Sequence, residues 1–122
     1  MTTKNRIGET EDGIANVAIA ANLCVKWHTT AGQIVVCGAG DIPCGVTTDP
    51  IPAGKTGTFA RWGRGNSYYV SCTGVSAGDY LKCGAAGVLV QEASATVVTA
   101  ATVGQAKTAS DSANNVEVTS TR

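Results

Sequence analysis

Glycine and proline interrupt this chain so often that no long regular segment can form. Fifteen glycines and three prolines are spread over 122 residues, and short apolar runs lie between them. Runs such as residues 33–37 and 67–72 are rich in Val, Ile and Tyr, which favour strands, whereas glycine and proline mark turns. We therefore predict an all-β, single-domain β-sandwich or β-barrel with many short strands and at most one short helix.

One turn sequence occurs twice in the chain. Residues 37–45 read CGAGDIPCG and residues 75–84 read VSAGDYLKCG, so that Ala-Gly-Asp is followed by Cys-Gly in both. Asp in such a sequence caps the turn through its side chain, and no catalytic group accompanies it. The repeat predicts an architectural device. Its second copy opens a hairpin, in which Gly78 and Asp79 turn the chain in and residues 84–87 turn it back.

Two further segments differ from this pattern. Residues 1–13 are polar and charged, and we interpret them as an extended N-terminal arm that precedes a β-domain at 14–122. Such an arm is either a disordered tail or a strand that orders on a partner. Residues 92–106 are the best helix candidate, although their Val and Thr residues lower the helix propensity that their alanines raise.

Composition excludes several classes of function. The formal net charge is zero, which argues against a surface that tracks nucleic-acid phosphates. The polar start of the chain has no secretory pattern, and the apolar residues 17–25 are too few to cross a bilayer. We expect a protein made in a cytoplasm, with its cysteines reduced and buried as small apolar residues. The five cysteines are Cys24, Cys37, Cys44, Cys72 and Cys83.

The sequence AGKTG at residues 53–57 superficially resembles a phosphate-binding loop. Such a loop needs a glycine five positions before its Gly-Lys-Thr, and here that position is Asp49, a negative charge. Pro50 and Pro52 also lack the amide hydrogens that would bind phosphate. We interpret the segment as a turn that leads into a strand.

Metal-binding and nucleophilic chemistry are equally poorly supported. Cys24, His28, Cys37 and Cys44 lack the paired Cys-x-x-Cys spacing of zinc sites. His28 is the single histidine, and on an extended chain Cys24 would lie about 13 Å away from it. We predict no catalytic residue, no metal and no cofactor.

Aromatic and basic residues cluster in the middle of the chain. Trp62 is flanked by Arg61 and Arg64, and Tyr68 and Tyr69 follow. These residues suit either a stacking platform for sugars or single-stranded nucleic acid, or a protein interface. Zero net charge favours the protein interface. Adjacent tyrosines in a strand point to opposite faces, so one is expected in the core and one on the surface.

The order of segments along the whole chain resembles the capsid cement, or head decoration, proteins of tailed bacteriophages. The resemblance covers residues 14–121 and depends on the order and spacing of Gly-rich turns and alternating strands. The segments that carry it are GIANVAIAANLCVKW, IVVCGAGDIPCGVTTDPIPAGKTGTFARWG, VSAGDYLKCGAAGVLVQ, GQAKTAS and NNVEVTSTR. Five cysteines and two tryptophans exceed what the family suggests, which leaves room for interchain disulfides or an unusual interface.

The resemblance implies a non-enzymatic virion protein on the outer capsid surface, made in the host cytoplasm. It would bind the major capsid protein and other copies of itself, as a trimer, and would contact neither nucleic acid nor membrane. It would brace neighbouring capsid subunits against the pressure of packaged DNA. The residues expected at this interface are Thr2, Thr3, Lys4, Asn5, Arg6, Ile7, Arg61, Trp62 and Arg64. The alternatives are a virion-surface module that binds a receptor or glycan through Trp62 and a tyrosine, and a small hydrolase that uses Cys24 or His28.

Overall fold

The computed structural model describes residues 10–93 and 97–122. Within them the chain forms ten short strands and one 3-10 turn, Ala85–Gly87. The all-β prediction is confirmed. In chain order the strands are β1 Thr10–Ala15, β2 Cys24–Trp27, β3 Gln33–Val36, β4 Gly45–Thr47, β5 Thr56–Arg61, β6 Ser67–Ser71, β7 Tyr80–Cys83, β8 Leu89–Gln91, β9 Thr102–Ala106 and β10 Asn115–Ser120.

The first five strands close into a barrel in the order β1–β3–β2–β4–β5, and β5 returns to β1. The closing pair is antiparallel and runs from Thr10 opposite Ala60 to Ile14 opposite Thr56. On its other side β1 pairs in parallel with β3, where Ile14 lies opposite Gln33. Ring closure pairs the strand edges that would otherwise stay open.

The last five strands form a second sheet in the order β6–β10–β9–β7–β8, with antiparallel pairing throughout. The register between β7 and β9 shifts between Leu81 and Lys82, which marks a bulge. β7 and β8 form the hairpin that the sequence predicts, with Cys83 opposite Leu89.

Part of the barrel wall, at β2, β4 and the end of β5, is buried on both faces, so the two sheets belong to one domain. Val25 and Phe59 point into the barrel, where they pack with Ile34 and Ile51. The preceding Cys24 and the following Ala60 point outward and pack against the second sheet. Successive side chains of a strand alternate between faces, so two neighbouring residues can stabilise two different parts of the core.

Three local assignments differ from the sequence prediction. Residues 10–13, expected in the arm, form the first part of β1, because pairing with β5 holds this polar segment in the barrel. Thr102–Ala106, within the helix candidate, is a strand with four buried residues. β4 is not among the predicted strands, because residues 44–46 lead into a turn region predicted at 47–54, but all three residues of β4 are buried. Residues 1–9 and 94–96 lie outside the described residues.

The two copies of the turn sequence fold in the same way, which confirms their architectural role. The Asp41 carboxylate accepts a hydrogen bond from the Gly38 amide at 2.7 Å, and the Asp79 carboxylate accepts one from the Ser76 amide at 2.9 Å. In both, the residue before Asp is a glycine with positive φ, +78° at Gly40 and +92° at Gly78. A side chain would strain this position.

Candidate functional site

Arg61, Trp62 and Arg64 lie at the end of β5 and in the turn that follows it. The backbone of this turn is held from several sides. The Trp62 amide donates to the Cys44 carbonyl at 2.9 Å, and the Gly65 amide donates to the Ser120 carbonyl at 3.0 Å. The turn is therefore fixed to both the barrel and the second sheet.

Tyr68 contacts the same turn from the core side. It is 2% exposed, and its ring stacks on the Trp62 ring with centroids 4.5 Å apart and an angle of 11° between the planes. The Tyr68 hydroxyl accepts a hydrogen bond from the Gly63 amide at 2.7 Å and donates one to the Arg61 carbonyl. These contacts give the turn a fixed shape on which two arginine side chains are displayed.

The two arginines are exposed to solvent. The Arg61 side chain reaches the Glu11 carboxylate of β1, with 3.5 Å between Nε and Oε1. Because both side chains are largely exposed, water screens this pair, and it adds little to stability. The arginines therefore present donors for an external acceptor at little structural cost.

Trp62 itself is half-buried, and its indole nitrogen is covered. Within the described part of the chain, Nε1 has no hydrogen-bond partner. A buried N–H without a partner costs free energy, so the ring is held here by its packing on Tyr68. The structure thus places all three described members of the predicted interface on one turn, whereas Thr2 to Ile7 lie outside the described residues.

The stacking platform, the alternative to a protein interface, does not form as a single exposed face. Tyr68 is buried beneath Trp62, while Tyr69 points to the opposite face of β6 and is 40% exposed. The division of the tyrosines into one core and one surface residue is confirmed. The Tyr69 hydroxyl donates to the Asp111 carboxylate; this bond raises the pKa of Tyr69 and lowers the pKa of Asp111.

Sequence reasoning did not single out several exposed apolar side chains. Trp27 is 42% exposed and meets Phe59 edge to face, with 5.7 Å between ring centroids, so it lies partly over the barrel interior. The sequence feature that could have indicated this exposure is the position of Trp27, a bulky apolar residue, at the end of the short strand β2. The others are Ile14, Val17, Ile42, Val97 and Val98.

The four residues considered as metal ligands or nucleophiles, Cys24, His28, Cys37 and Cys44, do not all meet at one point. Cys24 and Cys37 face the second sheet, Cys44 packs toward the barrel core, and the His28 ring accepts a hydrogen bond from the Thr30 amide at 3.0 Å. Among residues 10–93 and 97–122, no group of three or more His, Cys, Asp or Glu is placed to hold a metal ion. The amide of Gly54 donates to the Ala15 carbonyl and is not free for phosphate.

The described residues also contain no helix long and apolar enough to cross a membrane.

Comparison with known proteins identifies the fold. No protein-family model matches the sequence, and no curated protein matches it. Among solved structures, the chain is similar to the head fiber gp8.5 N base of bacteriophage phi29, with a TM-score of 0.77. The match covers 92% of each chain at 15% sequence identity. The two proteins share a fold over nearly their whole length.

Proposed function

We propose that this chain is a non-enzymatic structural protein of a bacteriophage head that sits on the outer capsid surface. The observation that carries the proposal is the fold shared with the phi29 head fiber base over 92% of each chain. The order and spacing of the turns, which resemble those of head decoration proteins, support the same location.

We further propose that the chain binds the major capsid protein and braces neighbouring subunits. Such a protein needs a rigid body and a fixed contact surface, and it needs no reactive group. The turn that carries Arg61 and Arg64 supports this role, because Tyr68 and the Ser120 carbonyl hold its backbone. Arginine is enriched at protein interfaces, where its planar group donates several hydrogen bonds.

Many copies acting together would give such a brace its strength. Several modest contacts on one lattice bind far more tightly than each contact alone. We expect the binding unit to be a trimer, made in the host cytoplasm and incorporated into the virion. Light scattering of the purified chain measures the size of that unit directly.

The decisive experiment is cryo-electron microscopy of capsids assembled with and without this chain. We expect density for a small β-domain over the junctions between capsid subunits, with residues 2–7 placed against the shell. The decorated particles should also release their DNA at a higher temperature than bare particles. Bare particles, or density at tail positions alone, would contradict the proposal.

Variants of the arginine turn test the contact surface separately. The double change Arg61→Ala and Arg64→Ala should weaken capsid binding at least about tenfold, since hydrogen bonds to charged groups contribute about 1.5–3 kcal/mol each. Lys55→Ala removes an exposed positive charge directly before β5 and serves as the control. Equal binding by both variants would show that the capsid interface lies elsewhere on the chain. It would not contradict the proposal that the protein sits on the head.

A further inference from the structure

Three cysteines meet where the barrel packs against the second sheet. Cys24 begins β2, Cys37 directly follows β3, and Cys83 ends β7. Their exposed fractions are 0%, 0% and 1%. The thiols of Cys24 and Cys37 each lie within hydrogen-bonding reach of the Cys83 sulfur. We call these three residues the thiol cluster.

Backbone contacts hold the two halves of the thiol cluster together. The Gly40 amide, in the turn after Cys37, donates to the Cys83 carbonyl at 2.9 Å. In return, the Gly87 amide, in the turn after Cys83, donates to the Cys37 carbonyl at 2.8 Å. This reciprocal pair of bonds fixes Cys37 and Cys83 side by side across the boundary between barrel and sheet.

The remaining pair, Cys24 and Cys37, is less suited to a bond. These residues lie opposite each other on β2 and the end of β3, and the Cys37 amide donates to the Cys24 carbonyl at 2.9 Å. Side chains of opposite residues lie farther apart in such a hydrogen-bonded pair than in a non-hydrogen-bonded one. The thiols of both residues hydrogen-bond to Cys83 and not to each other. Cys83 is therefore the shared partner.

We propose that Cys83 forms a disulfide with Cys24 or Cys37 when the protein meets a small-molecule disulfide, and that this bond locks the second sheet onto the barrel. One sulfur can hold one such bond, so the two linkages exclude each other.

The reaction is thiol–disulfide exchange. The Cys83 thiolate attacks one sulfur of the small disulfide and releases one small thiolate. The thiolate of Cys24 or Cys37 then attacks the Cys83 sulfur and releases the second. Two protein thiols give up two electrons, the small disulfide accepts them, and the two protons end on the two released thiols.

Hydrogen bonding favours Cys83 as the first nucleophile. The hydrogen bonds from Cys24 and then Cys37 lower the pKa of Cys83, and burial opposes them. The bonds to Cys83, together with burial, raise the pKa of Cys24 and of Cys37. Because all three sulfurs are covered, exchange requires local opening of the turns after Cys37 and Cys83, so oxidation will be slow without added denaturant.

The test uses the purified full chain and oxidised glutathione, in urea below the unfolding midpoint so that the covered thiols are opened locally. After incubation the chain is denatured and alkylated with N-ethylmaleimide, and its mass is measured. We expect three of the five cysteines to be alkylated, with no retained glutathione, and a melting temperature at least about 5 °C higher than that of the reduced chain. Five alkylated cysteines, or a retained glutathione, would overturn the proposal.

Trypsin separates the cysteines well enough to identify the linkage. Lys26 lies between Cys24 and Cys37, and Lys82 directly precedes Cys83. The peptide that begins at Cys83 should be joined to the peptide that ends at Lys26 or to residues 27–55. The latter also contains Cys44, so Cys44→Ser must leave the linkage unchanged.

Cys72→Ser is a second control. After incubation with oxidised glutathione it should still lose two alkylatable thiols, as the unchanged chain does. In contrast, Cys83→Ser should keep its remaining four thiols. A linkage that contains Cys72, or loss of two thiols in Cys83→Ser, would refute the assignment. Mapping of the unmodified chain decides the question even where a variant does not fold.

Discussion

The Tyr68 hydroxyl lies in the core between two backbone groups, the Gly63 amide and the Arg61 carbonyl. Tyr68→Phe keeps the ring stacked on Trp62 but leaves both backbone groups without this partner. An unsatisfied buried polar group costs about 1–3 kcal/mol. We expect the free energy of unfolding to fall by about 2 kcal/mol, as measured by urea denaturation.

Tyr69→Phe is the matched control for this change. It removes the same atom from the next residue, together with its hydrogen bond to Asp111, but on the exposed face of β6. Exposed substitutions usually change stability by less than about 0.5 kcal/mol. Equal losses for the two variants would show that the Tyr68 hydrogen bonds do not stabilise the turn.

Asp41 makes stability depend on acidity. Its carboxylate accepts hydrogen bonds from the Lys26 ammonium at 2.6 Å and from the Gly38 amide, and these lower its pKa, the Lys26 contact most strongly. A carboxyl whose folded pKa is depressed stabilises the fold above its ordinary pKa of about 3.9, and this contribution is lost as the pH falls through the folded value.

We therefore expect Asp41→Asn to melt at a lower temperature than the unchanged chain near neutral pH. The gap should narrow as the pH falls below about 3.9. Thermal melts at a series of pH values measure this difference in melting temperature. Asp49→Asn, which changes an aspartate in an exposed turn, is the control. Glu92 and Asp111 also have lowered pKa values. Both residues are present in the variant and in the unchanged protein, so their effect on the melting temperature cancels in the difference. A gap independent of pH would contradict this account.

At the scale of single elements, β4 depends on a glycine that lacks room for any side chain. A Cβ at Gly45 would lie 2.2 Å from Phe59 Cδ1 and 2.3 Å from the Ala60 carbonyl oxygen. The carbonyl belongs to the paired strand β5 and cannot move without breaking the barrel. We expect Gly45→Ala to reduce the free energy of unfolding by about 3 kcal/mol.

Gly38→Ala provides the comparison. Its Cβ would meet the end of the Asp41 side chain at 3.3 Å, and that side chain can shift. We expect a loss below about 1 kcal/mol in the same denaturation experiment. Similar losses at both glycines would mean that the close approach of β4 and β5 does not limit stability.

The elements also show which parts of the fold local sequence can predict. β3 and β6 were predicted because β-branched and aromatic runs ended at clear turn residues. β4 was missed because a glycine and threonines resemble a turn, and its strand character comes from burial between two neighbours. β1 was missed in part because its polar face is exposed, and its order comes from pairing with a strand far along the chain.

The same limit applies to the candidate site. The exposure of Arg61 and Arg64 follows from residue type, so sequence alone could place them on the surface. The stacking of Trp62 on Tyr68 requires the turn to fold back, which no local pattern indicates. Sequence reasoning could not predict the thiol cluster for the same reason: its members come from β2, from the residue after β3 and from β7, in two sheets. The roles of these residues at a capsid interface stay predictions.

At the scale of the whole molecule, the barrel and the second sheet should unfold together. Residues from both, among them Cys24, Val46, Tyr68 and Val118, share one buried cluster. Loss of either sheet would expose this cluster to water, so neither half is stable alone. We expect a single calorimetric transition whose calorimetric and van't Hoff enthalpies agree. Two separate transitions would show that the halves are independent.

Barrel closure by β1 has a mechanical consequence. A tether attached at the N-terminal end of the chain would pull on Thr10, the first residue of a strand that pairs with β5 from Thr10 to Ile14 and with β3 at Ile14 and Ala15. Tension along that strand would load both hydrogen-bond ladders in shear, so several bonds would have to break at once instead of unzipping one after another. The shape of the barrel thus turns its first strand into an anchor point, and forced release would be limited by the rate of unfolding.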